Sequence, residues 1–207
     1  AVTVSDQGFR MSQLAGIEDI YLKNSTILGG AYFSDKNLEI IGGSIDLKGF
    51  VSANGWPASS LFHQPYTDRD IRKKLENSNV EIILEHEFIS LDQNKESVSF
   101  KTINLNNQEE KDFTSRYLIG SDGGSSIVRK QLGISQEDLN YNRDWVVIDV
   151  ELNEPDKLGD KLIQVCDKER LATFVPSHLP FRRWEFIIHE HEDCLLYTSD
   201  AADEHSW

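Results

Sequence analysis

The stretch "YLIGSDGGSSIVRKQLGI", residues 117–134, concentrates residues that could bind a charged or electron-rich ligand. Its first half is predicted to be a buried strand that ends at Asp122 and Gly123, and a helix is predicted to follow. Ligands of α/β proteins bind at the carboxyl ends of strands, and glycine there permits positive φ and a close backbone approach. Ser125 or Ser126 can cap the helix, and its first N–H groups suit a phosphate or a ring edge.

Arg129 lies one turn into this predicted helix, where its guanidinium could reach an anion. The same residues are equally compatible with a plain Asx turn that leads into a capped helix, because Asp-Gly turns are common. Arg129 would then form a surface ion pair. Chemistry alone leaves the cofactor site and the structural turn both open.

Other candidate groups are weaker. His189 and His191 in "HEHED" would lie on one face of a strand, but two ligands without a third do not define a metal site, and we predict none. His63 is predicted to form hydrogen bonds in a loop rather than to act as a base. Cys166 is interpreted as a small apolar strand residue.

Composition excludes several classes of function. The 207 residues carry a formal net charge of -14 and no basic run, which argues against nucleic-acid binding. The sequence has no apolar stretch approaching the ~20 residues of a membrane span. Two cysteines are too few for a disulfide framework. A cytoplasmic location is therefore expected, and the sequence does not indicate the oligomeric state.

The pattern of apolar residues predicts a chain in which helices and strands are mixed. The predicted helices run from Ser5 or Asp6 to about Gly16, over 67–77 with Thr67 as the cap, and over 125–133. Glycine-rich residues 27–50 predict short strands with turns at 34–37 and 42–43, and 55–65 are predicted to be a loop. Further strands are predicted at 80–93, 96–105, 115–122, 144–152, 161–167, 170–176 and 182–190.

The 117–134 stretch resembles the D-G-x-x-S-x-x-R motif of the class A flavoprotein monooxygenases, and matches it at Asp122, Gly123, Ser126 and Arg129. Other stretches are similar to the 3-(3-hydroxyphenyl)propionate hydroxylase branch of that family. These stretches are "AVTVSDQGFRMSQLAGI", "GWPASSLFHQP", "DWVVIDVEL", "QVCDKERLATFVP" and "RRWEFIIHEHED". The motif with "FHQP" and "RRWEF" in the right order makes the resemblance specific, and it spans residues 1–193.

The resemblance implies roles for particular residues. Gln64, in "FHQP", corresponds to a glutamine that contacts the flavin, and its amide can both donate and accept. Asp122 corresponds to the motif aspartate that supports the flavin and nicotinamide sites. Arg129 corresponds to an arginine implicated in holding NAD(P)H. Arg10 lies where the family approaches the flavin. Gly123 and Ser126 belong to the same cofactor-binding set.

The implied activity is that of an FAD-dependent aromatic hydroxylase. The flavin would be reduced by NAD(P)H and would use O2 to insert one oxygen atom into a phenolic ring, with a hydroxyphenylpropionate-type acid as the expected substrate. The residue that activates the phenol cannot be named from the sequence. Two other classes remain open, a flavin oxidoreductase of the same fold that does not hydroxylate and a non-catalytic binding module.

The expected fold is α/β, with α+β mixing and truncation at both ends. A partial FAD-binding Rossmann-like domain (1–30 and 62–142) would be interleaved with a partial antiparallel-sheet substrate domain (31–61 and 143–193). The segment "CLLYTSDAADE" resembles a translated sequencing adapter, so 194–207 are predicted to be a non-native tail. The sequence contains neither a Gly-x-Gly-x-x-Gly turn nor the later Gly-Asp motif, and the chain alone is expected to be inactive.

Overall fold

A computed structural model describes residues 3–154, 158–189 and 192. The predicted tail at 194–207 lies outside the described residues. The helices are α1 (Asp6–Leu14), α2 (Glu18–Lys23), α3 (Gln64–Leu75) and α4 (Ile127–Gln131). The strands are β1 (Thr3–Ser5), β2 (Ser25–Ile27), β3 (Gly30–Ser34), β4 (Ile40–Asp46), β5 (Ser59–Phe62), β6 (His86–Gln93), β7 (Val98–Asn104), β8 (Glu110–Ser115), β9 (Asp144–Glu151), β10 (Lys161–Cys166), β11 (Leu171–Val175) and β12 (Phe181–Ile188). In the described part of the chain, no helix is both long enough and apolar enough to cross a membrane.

The chain forms two compact units. Of the described residues, the first unit contains 3–78, 142–154, 158–189 and 192, and the second contains 79–141. The mixture of helices with several sheets confirms the expected α/β class with α+β mixing. The predicted cofactor and substrate domains are defined by function, whereas the two units are defined by their compactness. The predicted division into domains therefore stays a prediction.

A small antiparallel sheet in the first unit fixes the start of α3. Its strand order is β1-β5-β2, so the central strand β5 is paired on both sides. Val4, Phe9 and Phe62 form a buried cluster beneath α1, and the Phe9 ring stacks on Trp56 with centroids 5.2 Å apart. Because β5 ends at Phe62 and α3 begins at Gln64, this cluster anchors the strand-to-helix connection.

The larger sheet of the first unit has six strands in the order β4-β3-β10-β11-β12-β9. All its pairs are antiparallel except the one between β3 and β10. The four strands predicted between 144 and 190 are confirmed. Ile163 and Phe174 are 1% and 4% exposed and lie directly opposite each other, so the core of the sheet runs through β10 and β11.

The second unit is a three-stranded antiparallel sheet, β6-β7-β8, with the short helix α4. Gln131 joins the helix to the sheet, since its side-chain amide donates to the Ile89 carbonyl at 2.5 Å and accepts from Leu91 N at 3.0 Å. The predicted antiparallel pairing of the 80–93 and 96–105 segments is confirmed over β6 and β7.

Three local predictions around α3 and β4 are wrong. Residues 59–62 form the buried strand β5 rather than part of a loop, and α3 begins three residues before Thr67. Thr67 does not cap this helix; it is 1% exposed and donates its hydroxyl to the His63 carbonyl. Proline is tolerated in the first turn of a helix, so Pro65 permits the earlier start. The predicted turn at 42–43 lies inside β4.

Two apolar runs that were predicted to be strands are not strands in the structure. The run at 80–84 precedes β6, and the run at 117–122 follows β8. Ile119 is 85% exposed and Tyr117 is 74% exposed, which contradicts the predicted buried strand before Asp122. An apolar pattern predicts that a segment is buried, but it does not identify the element that covers the segment. A strand also needs a neighbouring strand as the hydrogen-bond partner of its backbone groups. Within the described residues, no strand pairs with 117–122.

Candidate functional site

A cavity of about 840 Å³ lies within the first unit, at the amino-terminal end of α3. Part of its wall is aromatic and comes from Phe62, His63, Tyr66 and Phe181. Such a wall suits a planar ring, because aromatic faces bury a large area at low entropic cost. Half of the remaining lining residues are charged, namely Asp68, Asp149, Glu151 and Arg183.

His63 is held rigidly at the edge of this cavity. Its backbone N–H donates to the Asn24 carbonyl at 2.9 Å, and its own carbonyl accepts from Thr67 N at 3.1 Å. The imidazole stacks on Phe181, with centroids 4.0 Å apart and an interplanar angle of 13°, and meets Tyr66 edge to face at 4.1 Å. The prediction that His63 forms hydrogen bonds in a loop is wrong for its Nδ1 atom. This atom is buried and has no hydrogen-bond partner among the described residues.

The pKa of His63 is lowered, and burial is the largest cause because it penalises the charged imidazolium. The neighbouring His178 and Arg69 lower this pKa further, while the carboxylates of Asp149 and Glu151 oppose the shift. The ordinary histidine value of 6.5 already lies below neutral pH. His63 is therefore an uncharged ring at pH 7.

Gln64 is the first residue of α3 and lines the same cavity. His63 at the N-cap position forms no side-chain cap, and Pro65 has no N–H, so the positive end of the helix dipole is not covered by a capping side chain. The isoalloxazine edge of FAD carries both acceptors and a donor, and a glutamine amide complements both. This end of the cavity therefore fits a flavin ring edge, as the resemblance implies for Gln64.

A bidentate ion pair lies on the charged part of the wall. Arg183 donates from Nε to Oδ1 of Asp149 and from Nη2 to Oδ2, at 2.7 Å each, and the two residues face each other across β12 and β9. The hydrogen bond from Arg183 holds the pKa of Asp149 below its ordinary value. Asp68 and Glu151 add two further carboxylates to the lining.

The predicted site around Asp122 lies in the second unit, and its carboxylate is used within the corner itself. Asp122 accepts hydrogen bonds from Ser126 Oγ at 2.5 Å, Ile127 N at 2.7 Å and Val128 N at 3.1 Å. These three donors lower the pKa of Asp122, and Ser126 is the largest cause. The carboxylate thus binds the N–H groups that start α4.

The other motif residues complete this corner. Ser126 is the N-cap, and its Oγ accepts from Arg129 N at 3.0 Å. Gly123 has a φ of +80°, a left-handed conformation that favours glycine, and the position that a Cβ would occupy is open space. The Arg129 guanidinium donates to the carbonyls of Ile134 at 3.3 Å and Gly124 at 3.4 Å. All four motif residues lie in one turn, where their polar side chains form hydrogen bonds within the corner.

The remaining predicted residues lie elsewhere. Arg10 is exposed on α1 and donates to Gln13 Oε1 at 2.6 Å. It is not one of the described residues that line the cavity. The His189 ring bonds to the Glu169 carbonyl at 2.7 Å, whereas His191 lies outside the described residues. Cys166 is the last residue of β10, which agrees with the predicted strand position, and its side chain is exposed.

Sequence reasoning missed the cavity wall on β9 and β12. Asp149 and Arg183 were assigned only to predicted strands, although they are opposite charges near the middle of two apolar segments. Opposite charges that face each other across neighbouring antiparallel strands form a stabilising pair. The two charges are visible in the sequence, but pairing them requires the register of two strands whose facing residues lie 34 positions apart.

Comparison with solved structures defines the class of fold. The chain is similar to p-nitrophenol 4-monooxygenase from Pseudomonas putida, with a TM-score of 0.82 at 16% identity over 97% of this chain and 51% of that one. It is also similar to aklavinone-11 hydroxylase, solved with FAD and aklavinone, with a TM-score of 0.70 at 20% identity over 99% of this chain and 42% of that one. The fold is that of the flavin-dependent monooxygenases.

The family model described as "FAD binding domain" matches residues 1–193, and the chain belongs to this family. It is 27% identical over 194 residues to the 3-(3-hydroxy-phenyl)propionate/3-hydroxycinnamic acid hydroxylase of Burkholderia cenocepacia, covering 93% of this chain and 35% of that protein. The protein of the same name from Comamonas testosteroni is 29% identical, over 91% of this chain and 31% of that protein. The predicted resemblance is confirmed, and the chain spans about a third of these relatives.

Proposed function

We propose that the protein containing this chain is an FAD-dependent, NAD(P)H-consuming monooxygenase that hydroxylates a phenolic aromatic compound. Membership of the FAD binding domain family supports the cofactor. The observation that carries the proposal is the cavity in which Gln64 and the start of α3 adjoin an aromatic wall. The names of the relatives make a hydroxyphenylpropionate-type acid the first substrate to test.

The residues of the cavity have two tasks in this proposal. Gln64 and the amino-terminal end of α3 hold the edge of the flavin ring. The stacked rings of His63 and Phe181, with Tyr66 at their side, hold a planar substrate and exclude water from one of its faces. FAD, when bound, supplies the activation of O2 and the transfer of one oxygen atom to the substrate ring.

The Asp122 corner has a positioning task. We infer that Asp122, Gly123 and Ser126 serve the FAD and nicotinamide sites by fixing the start of α4 rather than by direct contact, because the carboxylate already accepts three hydrogen bonds. Arg129 contributes the cation that a phosphate of NAD(P)H requires. Arg10 stays a predicted flavin contact.

The proposal is tested on the protein encoded by the natural gene around this chain, recovered from the source DNA. Purified protein is expected to retain FAD through gel filtration and to consume NAD(P)H when a phenol is added, with one atom of labelled O2 appearing in the product. Consumption of NAD(P)H with release of hydrogen peroxide and no hydroxylated product would reject hydroxylation. Failure to bind FAD would reject the proposal as a whole.

The role of Gln64 is tested by Gln64→Leu, which removes the amide and keeps a side chain of similar size. We expect the variant to lose bound flavin during gel filtration, because the ring edge would face an apolar group. Gln136→Leu is the matched control, since Gln136 is an exposed glutamine in the second unit. Equal flavin retention by both variants would remove Gln64 from the flavin site.

A further inference from the structure

We propose that the cavity at the start of α3 selects aromatic ligands that carry no free carboxylate. This inference rests on the proposed function, because it narrows the substrate class of the same site. It departs from the relatives, whose names specify a phenylpropionate or cinnamic acid.

Three rings in contact form most of the aromatic wall of the cavity. The His63 ring stacks on the Phe181 ring, and the Tyr66 ring contacts His63 edge to face. The backbone of His63 is fixed to Asn24 and to α3, so the wall is formed before any ligand binds. A preformed aromatic wall binds a planar ring without a large ordering cost. The cavity therefore supplies affinity for an aromatic ring of either charge state.

A ligand carboxylate needs a cation in the cavity wall. Arg183 is the one Lys or Arg among the described residues that line the cavity. Its Nε and Nη2 groups both donate to Asp149 at 2.7 Å, and Nη1 lies 3.9 Å from Glu185 Oε1. The contact with Asp149 uses two of the five N–H groups of Arg183 and largely offsets its charge, so a ligand carboxylate would be attracted less strongly than by an unpaired arginine.

The charged side chains of the cavity wall carry a net negative charge. The lining contains the carboxylates of Asp68, Asp149 and Glu151 against the single guanidinium of Arg183, which leaves two negative charges. His63 is neutral at pH 7 and does not offset them. The partial positive charge at the start of α3 offsets this negative charge only in part. An anionic ligand is therefore disfavoured relative to an uncharged ligand of the same shape.

The selection is measured with two ligands that differ only in this charge, 3-(3-hydroxyphenyl)propionate and its methyl ester. Binding to the 207-residue chain is followed by ligand-observed NMR and by calorimetry, without flavin or NAD(P)H. We expect the ester to bind at least about tenfold more tightly, a ratio that corresponds to ~1.4 kcal/mol. Equal or tighter binding of the acid overturns the proposal, and so does the absence of binding by both compounds.

Variants locate the effect. Asp149→Asn removes one negative charge and releases Arg183, so the acid should gain affinity while the ester is unchanged, and the ratio should approach one. Asp92→Asn makes the same charge change in the second unit, on β6, and should leave the ratio as it is. Circular dichroism verifies that each variant is folded.

A second variant changes the charge of the cavity without breaking the Asp149–Arg183 ion pair. Glu151→Gln lowers the negative charge of the lining and leaves the Asp149–Arg183 contact in place, and the ratio should fall about threefold. A ratio unchanged in both cavity variants overturns the proposal even if the ester binds better. Hydroxylation of the acid in preference to the ester would reject this inference alone, whereas ester preference without hydroxylation would reject only the proposed function.

Discussion

The imidazole of His63 lies on the ring of Phe181, with centroids 4.0 Å apart and planes within 13° of each other. This stack joins the residue before α3 to the first residue of β12. The Nδ1 atom of His63 is buried and has no hydrogen-bond partner among the described residues. A proton on that ring would carry its charge into a poorly solvated position. The pair therefore couples the protonation of one residue to the integrity of the cavity wall.

We predict that the chain becomes less stable as the pH falls below the ordinary histidine value of 6.5. Burial lowers the pKa of both His63 and His178 in the folded chain. The unfolded chain then binds more protons than the folded chain in this range, so the stability is fully present above pH 6.5 and is lost as the pH falls through the folded pKa. Thermal unfolding between pH 5 and 8 measures the effect.

His63→Phe keeps an aromatic ring on Phe181 and removes the titrating group. Its unfolding midpoint should change less between pH 5 and 8 than that of the unaltered chain. His86→Phe, in the second unit, serves as the control and should retain the full dependence. If the unfolding midpoint of His63→Phe depends on pH as strongly as that of the unaltered chain, residues other than His63 cause the pH dependence.

Loss of the Asp122 carboxylate is predicted to unravel the start of α4. Asp122→Ala leaves Ile127 N and Val128 N without their acceptor, and Ser126 Oγ loses its partner as well. Hydrogen exchange of the two amides should accelerate markedly in the variant, while exchange in β7 is unchanged. Glu137→Ala removes an exposed carboxylate from the same unit and should have no such effect. Unaltered protection in Asp122→Ala would contradict the capping role.

The local rules predicted the Asp122 corner well, since capping by Ser126, positive φ at Gly123 and the end of the helix near Gly133 all depend on residues close in sequence. The predicted strand before it was wrong, because burial of residues 117–122 requires a neighbour that the pattern does not name. In the same way, β5 was predicted to be a loop because Pro57 and Pro65 flank it, although it is paired with both β1 and β2.

The candidate cavity shows the same limit. Gln64 was predicted as a site residue from a resemblance, and the structure places it on the cavity wall. The partners of that wall come from residues 149–151 and 177–183, about a hundred positions further along the chain. Their arrival depends on the order of a six-stranded sheet, which includes one parallel pair that no local pattern predicts. Chemistry that depends on such pairing is visible only once the register is known.

The buried ring of Phe9 is predicted to be essential to the first unit. Phe9 is 1% exposed and packs with Val4 and Phe62 at the base of the strand that leads into α3. Phe9→Ala should lower the free energy of unfolding by roughly 3–5 kcal/mol, because it removes a large buried side chain and leaves a cavity. Met11→Ala, on the same helix at 65% exposure, should change it by less than about 0.5 kcal/mol.

Urea titration followed by tryptophan fluorescence measures both variants, and the stacked Trp56 provides a local signal. Because Phe62 directly precedes His63, we also expect Phe9→Ala to weaken binding of the uncharged phenol ester before the unit unfolds globally. A loss of stability in Phe9→Ala no larger than in Met11→Ala would mean that this cluster does not anchor α3. The cavity wall would then have to be held by its contacts with β12 alone.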